Sequence, residues 1–348
     1  MPDTTVIERI WFGNDAWARR GRLALAPLEA VYRAAVAVRG SMYDSGLLRA
    51  QETAIPSIGV GNLSVGGTGK TPFSAWLART LASRGAKPAI VLRGYGEDEP
   101  LVHRVLNPTI PVIVGADRVR GTAQARAAGA DVAVLDDAFQ HRRARRRADF
   151  VLVSADRWSP EPHLLPAGPF REPLSALRRA SVVVVTRKAE RAAMAEAVAD
   201  VLARVVPNVP LVLVELSPHA LVEVGSERQR SLSDLANRDV RAFIAIGDPN
   251  AFVRQLECHD ARVTPTVFPD HHHFTDDEIT SFARGVPSDA IVVCTLKDAV
   301  KLGGRWPREA APPWYVSQHV VVERGIEAVE AVLDDLMRAR TTLPPTTG

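Results

Sequence analysis

Short β-branched runs alternate along the chain with stretches in which Ala, Leu and Arg recur at helical spacing. Runs at residues 55–60, 89–92, 112–114, 132–135, 150–153 and 182–185 read as strands. Between several of them lie helical segments at 73–83, 119–128 and 191–205. This rhythm predicts an α/β fold with a mostly parallel sheet and helices on both faces. A Pro-rich, strand-like stretch at 207–221 follows. The pattern then resumes with strands at 242–246, 263–267 and 291–294, a helix at 251–257 and a last helix at 326–338. A second, smaller α/β unit is therefore expected from about residue 215. The Pro/Thr-rich tail is expected to fray.

The most informative polar interruption follows the first apolar run. Gly66-Gly67-Thr68-Gly69-Lys70-Thr71 joins that strand to the helical segment that starts near Phe73. Glycines there let the backbone bend so that its N–H groups point inward at a polyphosphate, and the helix N-terminus adds partial positive charge. Lys70 would reach the β/γ-phosphates, and Thr71 would offer its hydroxyl to Mg²⁺. The pattern G-x-x-x-x-G-K-[ST] wants glycine at position 64, which is Ser64; the glycines stand at 66 and 67 instead.

The apolar run at 132–135 ends in Asp136-Asp137. An acid at the tip of a strand neighbouring the phosphate loop suits Mg²⁺ handling. Gln140 and His141 follow at the C-terminal edge of the sheet, where open α/β folds bind ligands. The basic run at 142–147 reads as a solvated face that could also meet an anionic substrate or lipid headgroups.

Near the start, Leu28, Val31, Tyr32, Ala35 and Val38 fall at helical spacing, with Arg19, Arg20, Arg22, Arg33 and Arg39 around them and Trp11, Phe12 and Trp17 upstream. Two readings stand for residues 11–39: a helix lying on an anionic membrane surface, or an amphipathic helix packed on its own domain. The most apolar stretch, 23–38, is broken by Pro27, Glu29 and Arg33, so no membrane span is expected. No signal peptide is expected either.

Composition narrows the field. The 348 residues suit two domains or one large one. A formal net charge of +3 is too weak to argue for nucleic-acid binding. Cys258 and Cys294 make no disulfide framework and fit a reducing compartment. Asp270-His271-His272-His273 invites a metal, but three consecutive histidines cannot all face one ion, and proton transfer by a single His is the better reading. Thr295-Leu296-Lys297-Asp298 has no Asn for reading guanine, so GTP is not expected.

Together these segments resemble the tetraacyldisaccharide 4′-kinase (lipid A 4′-kinase) family. The resemblance rests on Val60-Gly61-Asn62-Leu63-Ser64-Val65-Gly66-Gly67-Thr68-Gly69-Lys70-Thr71-Pro72, Arg93-Gly94-Tyr95-Gly96 and Leu135-Asp136-Asp137-Ala138-Phe139-Gln140-His141-Arg142. It continues through Leu164-Leu165-Pro166-Ala167-Gly168-Pro169-Phe170-Arg171-Glu172-Pro173-Leu174, Phe268-Pro269-Asp270-His271 and Lys297-Asp298-Ala299-Val300-Lys301. It implies transfer of the ATP γ-phosphoryl group to the 4′-hydroxyl of a tetraacylated glucosamine disaccharide 1-phosphate. It places the enzyme at the cytoplasmic face of a Gram-negative inner membrane, and it favours the membrane reading of residues 11–39.

Under that resemblance residues 1–50 form a membrane-associating region, 51–214 the kinase domain and 215–348 the smaller domain. Asp98 and His271 correspond to the family's proposed base and its partner. Asp136 and Asp137 take the metal side with Thr71, and Tyr95, Gln140, His141 and Glu172 fall on the substrate side. The chain departs from the family pattern where Gly96 abuts Glu97-Asp98-Glu99-Pro100, because a connecting segment of some two dozen residues is missing there. Two other classes share part of the pattern: a deviant-loop ATPase or ligase of the dethiobiotin-synthetase type, which has the same glycine pattern but does not account for the Asp136 to Arg142 motif, and a membrane-recruited nucleotide switch, which would carry lysine where this chain has Val65.

Overall fold

The computed structural model describes residues 6–94, 96, 98–159, 162–270 and 272–341. Two helices come first, α1 (Val6–Phe12) and α2 (Ala16–Asp44). Asp15 caps α2 by accepting the Ala18 amide at 2.8 Å. The first half of the sheet is then laid down: β1 (Gln51–Glu52), β2 (Ser57–Asn62), α3 (Lys70–Ser83), β3 (Pro88–Leu92), α4 (Asp98–Leu106), β4 (Val112–Val114), α5 (Arg118–Ala127) and β5 (Val132–Leu135). After β6 (Ala144–Arg145), which pairs with β1, come β7 (Ala148–Ser154), β8 (Val182–Arg187), α6 (Ala192–Val205), β9 (Leu211–Glu223) and β10 (Gln229–Ser231). The second half holds β11 (Asp239–Ile244), α7 (Pro249–Glu257), β12 (Arg262–Val267), α8 (Asp276–Arg284), β13 (Ile291–Thr295), α9 (Leu296–Leu302), β14 (Trp314–Arg324) and α10 (Ile326–Thr341).

One large sheet runs through both halves in the order β12-β11-β13-β14-β9-β8-β7-β2-β5-β3-β4, with β10 added beside β9. Every pairing along that path is parallel except β9 with β14. Parallel strands need covered faces, and the side chains alternate accordingly. Ile58, Val60, Phe150 and Leu152 pack on Phe73 and Leu77 of α3 and Leu333 of α10. Val151 and Val153 point the other way, onto Val198 and Leu202 of α6. The sheet is thus mostly parallel with helices on both sides, as its apolar rhythm predicts.

Residues 214 and 215, the expected boundary between the two units, lie inside β9. That strand pairs with β8 over 211–215 and runs antiparallel to β14 over 213–223. The two halves therefore share one pair of long strands. The strand carrying the phosphate loop, β2, lies between β5 and β7. This places the loop and the Asp136-Asp137 pair at the C-terminal tips of adjacent parallel strands, where the sheet faces ligand.

Candidate active site

The phosphate loop leaves a wholly buried strand. Gly69 has φ +89° and stands as N-cap of α3; a Cβ there would sit 2.3 Å from Leu216 Cδ1. Gly66 has φ +109°, and a Cβ would meet Arg157 Nη1 at 2.4 Å. Both positions need glycine for conformation, and Gly69 needs it for space against buried Leu216 as well. Thr68 anchors the bend. Its hydroxyl accepts from Asn62 Nδ2 at 2.9 Å, and its carbonyl accepts from the Thr186 hydroxyl at 2.9 Å. Lys188 Nζ donates to the Gly67 carbonyl at 2.7 Å, and burial pushes its ammonium below the usual lysine range. Lys70 and Thr71 open α3, where unpaired amides and the helix dipole favour an anion.

Across from the loop, the two carboxylates behave differently. Asp137 faces Lys70, whose Nζ is 3.5 Å from Oδ1, and Arg171, whose Nη1 is 3.2 Å away. Burial raises its carboxyl, but Lys70 and Arg171 outweigh burial and hold it below the ordinary value. Asp136 is buried, and both its oxygens are engaged. Oδ1 accepts from the Ser74 hydroxyl at 3.1 Å and from the Asp137 amide at 2.9 Å, while Oδ2 lies 2.9 Å from His103 Nε2. Burial again raises its carboxyl, and the His103 contact does most to reverse that. Arg118, itself buried, donates from Nη2 to the Asp136 carbonyl at 3.1 Å.

The shortened segment before Asp98 leads straight into α4. Asp98 is the helix's first residue; its side chain is buried, and Oδ2 lies 3.9 Å from Lys301 Nζ of α9. Glu99 follows it on α4, and nothing in the sequence pattern sets it apart from Asp98 as a site residue. Burial pushes the Glu99 carboxyl up, and Lys297 Nζ lies 3.9 Å from its Oε1. Tyr95 and His271, read as a substrate-side residue and as the partner of Asp98, lie outside the described residues. His272 pairs with Glu278 at 3.0 Å and stacks on Phe268. The turn after β11 approaches the loop, since a Cβ on Gly247 would be 3.8 Å from Gly66 Cα, and Asp248 faces Arg157 at 3.6 Å.

A groove of about 930 Å³ opens between α2 and the strand tips and reaches Asp137. Gln140, His141 and Glu172 line it, with Arg39, Arg93, Arg118, Arg142, Arg171 and Arg179. Glu172 is held by Arg179 in a two-pronged pair, the shorter arm 2.8 Å. Gln140 Nε2 donates to the Asn62 carbonyl at 2.8 Å, tying this wall to β2. His141 is pushed down to about 4, first by burial and then by Arg118 and Arg146. Of the basic run, Arg145, Arg146 and Arg147 pair with Glu52, Asp149 and Asp335, while Arg142 lines the groove and pairs there with Asp44 of α2.

One wall of the groove is α2. Its buried Glu29 accepts the Leu164 amide at 2.9 Å, Tyr32 donates to the Arg171 carbonyl at 3.1 Å, and Arg39 donates to the Gln140 carbonyl at 3.0 Å. Away from these contacts Leu23, Leu28, Val31 and Val38 stand exposed, from 57% to 73%. Among the described residues no helix is long and apolar enough to cross a membrane.

A family model described as tetraacyldisaccharide-1-P 4′-kinase matches residues 21–338. A protein named tetraacyldisaccharide 4′-kinase from Anaeromyxobacter sp. (strain K) is 38% identical and covers 96% of this chain and 96% of its own. Another of that name from Halorhodospira halophila is 37% identical, over 90% and 93%. Among solved structures, LpxK from Aquifex aeolicus in complex with ATP superposes with a TM-score of 0.70 at 27% identity, over 90% of this chain and 99% of that one.

Proposed function

The chain belongs to the tetraacyldisaccharide 4′-kinase family, and from that premise we propose that it transfers the γ-phosphoryl group of ATP to the 4′-hydroxyl of a tetraacylated glucosamine disaccharide 1-phosphate. The observation that carries this reading is the groove. It is rich in arginine, ends at the carboxylate facing Lys70, and is lined on the α2 side by Tyr32, Ala35, Val36 and Ala37. An acceptor with phosphate, sugar and acyl chains has a matching surface for each part.

In this reading the ATP phosphates lie on the amides of residues 66–71. Lys70 neutralises charge that spreads over the transferring phosphoryl oxygens. The acceptor oxygen forms its bond to the γ-phosphorus as the bridging oxygen leaves with ADP. Asp98, partnered by His271, takes the hydroxyl proton. Gln140, His141 and Glu172, with Tyr95, shape the acceptor side.

The Thr71 hydroxyl and the Asp137 carboxylate are hard oxygen donors of the kind Mg²⁺ takes together with phosphates. Bound there, Mg²⁺ would neutralise the phosphates during transfer. Asp136, with both oxygens already engaged, supports this site from behind. The exposed apolar face of α2 would lie on the cytoplasmic face of the inner membrane, delivering the lipid from the bilayer edge.

The decisive experiment incubates the protein with ATP, Mg²⁺ and the acylated disaccharide 1-phosphate in detergent. Appearance of a phosphate on the 4′ position is expected. ATP hydrolysis with no phosphorylated lipid would sink the proposal in favour of an ATPase.

A further inference from the structure

Buried beside the phosphate loop is an imidazole that none of the roles above uses. His103 lies on α4, with no exposed surface. Its Nε2 is 2.9 Å from Asp136 Oδ2. Its Nδ1 is buried and has no hydrogen-bond partner among the described residues. That geometry suits the tautomer with the proton on Nε2, donated to the carboxylate. An orphaned polar atom in the interior costs roughly 1–3 kcal/mol. A leucine would fill the same space without that cost, so packing alone does not account for histidine here.

What the contact does is legible in the turn it supports. Asp137 has φ +48°, a left-handed conformation that a residue with a Cβ resists. It is held there because its amide donates to Asp136 Oδ1. Asp136 can accept that bond only while its carboxylate keeps one orientation. Ser74 fixes Oδ1, Arg118 fixes the main-chain carbonyl, and His103 alone engages Oδ2 among the described residues. Release of Oδ2 frees the carboxylate to rotate, and the Asp137 side chain loses its aim at Lys70 and Arg171.

We propose that His103 is a positioning residue: through Asp136 it holds Asp137 in the left-handed turn that presents its carboxylate to the phosphate loop and the Mg²⁺ of the nucleotide. Because His103 and Asp98 share α4, the same contact ties the helix bearing the candidate base to the strand bearing the metal-side acid. This inference rests on the metal-side role given to Asp137.

The test compares His103→Leu, His103→Gln and His103→Asn in the full chain. Gln can place an N–H where Nε2 stands; Asn cannot. Three quantities are read: the melting temperature, the affinity for a fluorescent ATP analogue with and without Mg²⁺, and the Mg²⁺ concentration for half-maximal turnover. The Leu and Asn variants should keep Mg²⁺-free nucleotide affinity within about twofold. They should raise the Mg²⁺ requirement roughly 10- to 100-fold, the usual consequence of losing a partner behind a metal ligand. The Gln variant should recover most of that loss. An unchanged Mg²⁺ requirement in the Leu variant, or equal losses in Gln and Asn, overturns the proposal. If the Leu variant does not fold, the contrast between Gln and Asn still decides it. Asp137→Asn serves as the control: if it too leaves the Mg²⁺ requirement unmoved, the metal-side reading of Asp137 is what fails, and if only it responds, the error lies with His103.

Discussion

Lys70 Nζ and Asp137 Oδ1 stand 3.5 Å apart, so the phosphate-loop lysine and the acid at the tip of the neighbouring strand share one electrostatic site. Each reinforces the position of the other, and Arg171 closes on the same carboxylate. Replacing Lys70 by Ala removes a charge aimed at the transferring phosphoryl group, and turnover is expected to fall roughly 100- to 1,000-fold. Asp137→Asn should fall comparably. The double variant should lose far less than the product of the two, because the pair acts as a unit. Steady-state kinetics on the four proteins measures this, and strict multiplicativity would show that the two residues act independently.

Gly69 and Gly67 make a matched pair for testing the loop. Alanine at 69 must adopt φ +89° and push into Leu216, a buried side chain of β9. Backbone strain of this kind costs on the order of 1–3 kcal/mol. Gly67→Ala has no positive φ to satisfy and meets only the flexible end of Lys188, at 3.4 Å. A lowered melting temperature with loss of ATP binding is expected for Gly69→Ala, and a change within about 0.5 kcal/mol for Gly67→Ala. Equal destabilisation of the two would contradict this account of the loop.

The N-terminal helix calls for point substitutions rather than removal. Glu29, Tyr32 and Arg39 hold the loop at 164–171 and the groove wall, so deleting the helix would disturb the site itself. Leu23, Leu28 and Val31 make no such contacts. Changing all three to Ser should weaken co-sedimentation with anionic phospholipid vesicles by about tenfold or more, since each apolar side chain withdrawn from lipid forfeits on the order of 1.5 kcal/mol. ATP affinity in solution should be unchanged. Vesicle binding equal to the parent protein would remove the membrane role from this face.

Much of this arrangement is readable from the chain, and the exceptions share a cause. Strands such as β5 and the Val182–Val185 stretch of β8 are compact apolar runs, buried on both faces, with no polar residue to obscure them. β14 was not anticipated because Ser317, Gln318 and His319 interrupt it, and much of its length is exposed. The helix α4 was hidden for another reason. Asp98-Glu99-Pro100 reads as a catalytic signature, yet Pro in a first turn is also an ordinary helix start. At the site, paired acids at 136 and 137 announce metal chemistry, but which of them faces the loop depends on His103 and Ser74, 33 and 62 residues away in sequence. Arg171 belongs to a recognisable motif, but its contact with Asp137 is made only when the loop after β7 folds back over the sheet. Local pattern carries elements and motifs; long-range contacts assign roles within them.

The candidate base gives a kinetic prediction with a clear signature. Asp98 lies on α4 near Lys301 rather than on the phosphate loop. Asp98→Asn should therefore leave ATP affinity within about twofold while kcat falls by roughly 100- to 10,000-fold, the range for a lost general base. A parallel rise in the KM for ATP would move Asp98 from proton transfer to nucleotide binding.

The groove histidine makes stability depend on pH in a defined window. His141 is held down to about 4 in the folded chain, mainly by burial and by Arg118 and Arg146, against an ordinary value of 6.5. Below 6.5 the unfolded chain takes up a proton that the folded chain refuses. Stability therefore falls as pH drops from 6.5 toward 4, with no further loss from this group below that. His141 is only half-buried, and solvent screening discounts the effect to roughly 1 kcal/mol between pH 7 and pH 5. Urea unfolding at those two pH values measures it directly. The His141→Asn variant should show a shallower decline than the parent over that window. Identical declines in the two proteins would mean that His141 does not remain neutral in the fold.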